Sequence, residues 1–202
     1  MNAQTLLNAP ETRAFAASKL AARSLMLGGA LWIAHYALQV GMGLSSGQFS
    51  MTGTIGTLDG ACFCGAILGI CAGVSFLAAP MRPRAALSNV GLSFAIIAAF
   101  SITFGFARAV TTGQQPSILG AIGVIGSCLS AIFVALAAKR AGALSPRLAN
   151  SLFCIGLLTF PLIVAFSLPA GKWFPAFWTD ELPFALSGAA YLALGRALRS
   201  IH

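Results

Sequence analysis

Charged side chains make up only 8% of this 202-residue chain, against about 25% in an ordinary soluble domain. A chain so poor in charge cannot cover its own apolar interior with polar surface, so a free-standing soluble globule is excluded and lipid must supply the covering. Acids are especially few: Glu11, Asp59, Asp180 and Glu181 are the whole set. Only Asp59 falls inside an apolar run, which excludes a two-aspartate intramembrane protease, and no acidic metal cluster exists. Histidine is confined to His35 and His202, so one chain cannot hold a haem between two membrane-embedded histidines, and there is no HExxH zinc motif. No glycine-rich phosphate loop is present. Ser187 sits in a small-residue context, "LSGAAY", but no histidine is placed to activate it. The sequence therefore argues against an enzyme and implies no cofactor and no metal.

What the chain has in quantity is apolar length, 58% of it hydrophobic. A spanning helix needs about 20 mostly apolar residues. Six runs qualify by eye: Ser24–Leu44, Gly56–Ala79, Ala86–Ala109, Ser117–Ala138, Leu148–Leu168 and Leu182–Leu198. They are continuous rather than alternating, so they are helices and not barrel strands. The expected fold is all-α, a six-transmembrane-helix bundle. The net charge of +8 does not form a nucleic-acid patch, because the basic residues stand in short clusters between the runs. Ten of the twelve fall on one side (Arg13, Lys19, Arg23, Arg82, Arg84, Lys139, Arg140, Arg147, Arg196, Arg199), leaving Arg108 and Lys172 on the other. The positive-inside rule then makes both termini cytoplasmic in an inner (plasma) membrane, as an even number of spans also requires.

Residues 1–23 read as a cytoplasmic amphipathic segment, a short helix lying on the inner surface with Asn8 and Pro10 near its start. Its apolar continuation is too long for a signal peptide. Residues 24–202 form one transmembrane domain. Odd runs begin with small or polar residues ("ARSLMLGG", "ALSNVGLS", "RLANSLFC") and even runs end in Ala-rich basic turns ("LAAPMRPR", "LAAKRAGA", "GRALRSIH"), the pattern of three repeated helical hairpins. The ending "DELPFALSGAAYLALGRALRS", with the spacing of the runs, resembles a broad group of six-span bacterial membrane proteins of uncharacterised function. That resemblance carries no catalytic residue with it. The layout is also similar to that of the substrate-binding subunits of energy-coupling vitamin transporters, an analogy of architecture without a shared motif.

One stretch concentrates the unusual residues: "GTLDGACFCGAILGICAG", Gly56–Gly73. At about 100° per residue Cys62 and Cys64 point to different faces, and "CFC" lacks the two-residue gap of redox or zinc motifs. The cysteines read as small hydrophobes. Gly65, Gly69 and Gly73, with Cys62 beside them, form a small-residue face against which another helix packs closely. Asp59 stands at the edge of that face. Near the outer surface it is either hydrated and favoured by the helix dipole or paired with Arg108 at similar depth. His35 and Gln39 share a face at i and i+4, and Ser101 and Arg108 share one on the third run. His35, Gln39, Asp59, Ser101 and Arg108 are thus the candidate polar pocket, facing outward. Trp173, Phe174, Phe177 and Trp178 in the last outer loop read as an interfacial aromatic belt, with a lid over the pocket or a partner-docking patch as the other readings. Pro161 is expected to kink the fifth helix.

Two functions fit. One is an accessory or scaffold subunit of a membrane complex, with the glycine face meeting a partner membrane protein or a second copy. The alternative is a small-solute binding or transport component that holds a small-molecule ligand in the outward pocket. The sequence leans to the first, which accounts for the glycine-lined faces, the few polar residues and the small loops; an ion pump or channel is disfavoured, because it would need polar groups through the full thickness.

Overall fold

The computed structural model describes residues 9–46, 53–81, 86–113, 117–167 and 182–200. These form α1 (Ala9–Ser46), α2 (Gly53–Ala78) with a 3-10 turn at Ala79–Met81, α3 (Ala86–Thr112), α4 (Ser117–Ala141), α5 (Pro146–Ser167) and α6 (Leu182–Arg199), with no strand among the described residues. Each expected apolar run lies on one helix except at two ends: Ala79 falls in the 3-10 turn, and Leu168 lies outside the described residues. Four helices are long and apolar enough to cross a membrane: Gly53–Met81, Ala86–Thr112, Ile118–Ala141 and Pro146–Ile163. The other two are more polar, α1 through His35 and Gln39, and α6 through Arg196 and Arg199 within only 18 residues.

Local chemistry sets the helix ends. Gly113, at φ 69°, donates its N–H to the Ala109 carbonyl and stops α3. Gly142, at φ 64°, stops α4 with two backbone bonds, Gly142 N–H to Lys139 O and Ala143 N–H to Ala138 O. A left-handed residue is what both caps require, and glycine adopts it without steric penalty. Ser145 caps the start of α5 and Pro146 fills the first helical position, where a missing N–H is harmless. α5 continues through Pro161.

α1 departs from expectation. It is one helix of 38 residues, with no break between the N-terminal segment and the first apolar run. At 1.5 Å per residue it is about 57 Å long, well beyond the ~30 Å hydrocarbon thickness.

Sequence neighbours touch all the way round, and α6 returns to α1, so the helices close into a ring, with α2 also meeting α4 across it. α6 packs chiefly on α1 rather than on α5. The third hairpin therefore lacks the geometry of the first two. Backbones come close where glycines face each other. A Cβ on Gly29 would lie 2.4 Å from the Gly188 carbonyl oxygen, and one on Gly69 would lie 2.9 Å from the Gly28 Cα. Between them sit Leu25, Trp32, Ile67, Ile70, Val74 and Tyr191, all fully buried. Outside the ring the surface is apolar: Ile96, Phe100 and Ile118 are 64%, 73% and 74% exposed, as lipid-facing residues should be.

Candidate functional site

α1 and α2 run antiparallel, and their register carries the site. Leu25 meets Gly73 and Gly28 meets Gly69 at one end. As α1 rises toward its C-terminus α2 is met ever nearer its start, so His35 reaches Phe63 and Gln39 reaches Asp59. The glycine face thus sets the depth at which the polar residues meet.

Asp59 is 1% exposed. His35 Nδ1 lies 2.6 Å from its Oδ1, and the Gln39 side-chain amide donates to its Oδ2. Either Nδ1 or the carboxyl group can carry the hydrogen between them. Both carboxylate oxygens are occupied from a single face of α1, because His35 and Gln39 are one helical turn apart. The hydrogen bonds of Asp59 thus both run to α1, and Arg108 is exposed near the end of α3. Depth alone allowed the Arg108 pairing, but the rotation of α2 turns Asp59 toward α1.

Of the five expected pocket residues, the structure brings three together: His35, Gln39 and Asp59. Ser101 is buried on α3 and hydrogen-bonded to none of the three. The carbonyl of Arg108 accepts from the Thr111 and Thr112 hydroxyls. The aromatic residues Trp173, Phe174, Phe177 and Trp178 lie outside the described residues.

Aromatic rings seal the centre. His35 stands 5.0 Å from the Phe63 ring and 5.7 Å, edge-on, from Phe184. Phe184 also meets Trp32 at 5.5 Å, and Trp32 meets Tyr191 at 6.0 Å. The Gly29–Gly188 contact makes this possible, since it draws α6 close enough for Phe184 and Tyr191 to flank Trp32. Trp32 and Phe63 had a sequence signal, lying one turn from His35 and Asp59 on the same faces. Phe184 had none, because its place depends on the α1–α6 pairing. Trp32 is fully buried, yet its Nε1–H has no acceptor among the described residues.

Deeper in the bundle Thr159 and Ser187 join α5 to α6 at 2.8 Å. The Thr159 hydroxyl donates to the Ile155 carbonyl, so Ser187 supplies the hydrogen between the two. That occupies the Ser187 hydroxyl in holding two helices together. Cys62, Cys64, Cys71 and Cys128 are buried free thiols, and Cys154 is an exposed one. Among the described residues no three His, Cys, Asp or Glu side chains converge.

The glycine face of α2 is filled by α1. Gly69 and Gly73 abut the Gly28 and Ala21 backbones, and a Cβ on Gly65 would meet Leu31. Its partner is within the chain.

No protein-family model matches the chain, and neither a curated protein nor a solved structure matches it.

Proposed function

We propose that this is a six-pass protein of the inner (plasma) membrane that binds or carries a small solute, with the Asp59–His35–Gln39 centre as its proton-exchanging element. The observation that carries the reading is Asp59 itself: an acid 1% exposed in an apolar bundle, held by an imidazole and an amide. An ionisable group inside a membrane is costly and marks a functional site by default. A proton gained or lost there changes how firmly α1 is tied to α2. The basic ends of α4 and α6 face the cytoplasm in this reading, which follows from the distribution of Lys and Arg along the sequence. The subunit reading loses its motive, since the glycine face is already filled.

The test compares wild type with Asp59→Asn in a thermal-shift panel of small solutes, followed by uptake into proteoliposomes with an imposed pH gradient. Asparagine keeps an acceptor oxygen and removes the acid. The expected result is a solute that stabilises wild type but not the variant, with uptake that follows the pH gradient in wild type alone. A panel in which no solute distinguishes the two proteins, with a second polypeptide retained in native mass spectrometry, would return the assignment to a subunit.

A further inference from the structure

A second site lies at the opposite end of the bundle from Asp59. The 3-10 turn that ends α2, the first residues of α3 and the capped end of α4 enclose a cleft of about 490 Å³. That is within the ~300–1,000 Å³ of small-ligand clefts. Six of its seven lining residues are apolar, among them Met81 and Leu87, and the seventh is Arg140. Arg140 and Ala141 occupy the last turn of α4 and are exposed. The adjacent Lys139 is held by the Asn150 side chain at 3.1 Å, which leaves Arg140 as the cleft's own charge among the described residues. Arg147 is exposed at the start of α5. The sequence has no Asp or Glu between Asp59 and Asp180, so none of α3, α4 and α5 offers these cations a carboxylate.

We propose that this cleft binds an anionic phospholipid, with Arg140 on the headgroup phosphate and the apolar part of the lipid against Met81 and Leu87. Charge and shape both select such a ligand. A wholly polar anion would leave six apolar lining residues without use, and a zwitterionic phospholipid would bring a cation of its own beside Arg140, whereas an anionic one brings none. Three helices apolar enough to span, α2, α3 and α4, begin or end here, which places the cleft at headgroup depth. Basic pockets between membrane helices take lipid phosphates by this combination of charge and depth.

The test is native mass spectrometry of the intact chain in detergent micelles, with phosphatidylglycerol or phosphatidylcholine of equal chain length. Wild type should retain phosphatidylglycerol with about fivefold preference, the scale of one basic side chain at a lipid surface. Arg140→Gln should lose the preference and keep the fold, since the α4 cap is made by backbone bonds alone. Ala141→Trp, which puts a large ring at the cleft with Arg140 intact, should lose the lipid too. Equal retention of the two lipids would overturn the proposal, as would a preference that survives either substitution. Displacement of phosphatidylglycerol by inorganic phosphate, with the same dependence on Arg140, would reduce the site to one for a simple anion and sink the lipid assignment.

Discussion

Asp59 is buried, so its two oxygens need partners within the protein, and His35 and Gln39 are spaced to supply them. Trp32, three residues before His35, is the opposite case: an equally buried donor with nothing to give its hydrogen to. An unmade bond of this kind costs about 1–3 kcal/mol. Trp32→Phe removes the donor and keeps most of the ring packing against Phe184 and Tyr191, so its unfolding midpoint in detergent should equal or exceed that of wild type. Trp32→Ala instead empties a volume fully enclosed by α1, α2 and α6 and should lose about 3–5 kcal/mol. If Trp32→Phe loses as much as Trp32→Ala, the indole hydrogen has a partner after all, such as a bound water. At this scale the sequence was partly legible. An acid in an apolar run is conspicuous, and an i, i+4 pair of polar residues on a neighbouring run points to a common face. Which partner Asp59 takes depends on helix rotation, and neither Arg108 nor His35 carries a mark in sequence that decides it.

Among the elements, glycines do two different jobs, and the structure separates them. Gly29 and Gly188 are points of backbone contact between α1 and α6, whereas a Cβ on Gly41 would meet nothing within 4 Å. Gly29→Ala should force the two helices apart, lowering stability by about 1–3 kcal/mol, as overpacking does. It should also lift Phe184 from His35. Gly41→Ala should raise stability, by up to about 1 kcal/mol, because alanine loses less backbone entropy in a helix. Unfolding midpoints of the two variants, measured side by side, should move in opposite directions; a shared direction would place the α1–α6 crossing elsewhere. The positions of the helices were legible, since a continuous apolar run in a charge-poor chain has one structural solution. The small-residue face of α2 was legible too, but not its partner. A pattern of glycines says that a helix comes close and does not say whether that helix belongs to the same chain.

For the whole molecule, the open matter of architecture is whether α1 and α6 cross the membrane with the four more apolar helices. They are the elements that enclose His35, so the polarity that His35 and Gln39 give α1 belongs to the site, whereas that of α6 lies in Arg196 and Arg199, exposed in its last turn. Their outward faces tell the same story. Leu27 on α1 is 58% exposed and Leu186 on α6 is 50% exposed, while the sides turned inward carry Trp32, His35, Ser187 and Tyr191. A helix with its polar side chains inside and large aliphatics outside is suited to lipid and ill suited to water. Cysteines placed at Leu27 and Leu186, on a Cys154→Ala background, should resist a membrane-impermeant maleimide whether membrane vesicles are sealed or inverted. A cysteine at Arg140 should label from the cytoplasmic side only. If positions 27 and 186 label as fast as position 140, only α2–α5 cross. The aromatic seal on Asp59 would then stand in water, and a buried acid would no longer need a membrane to explain it.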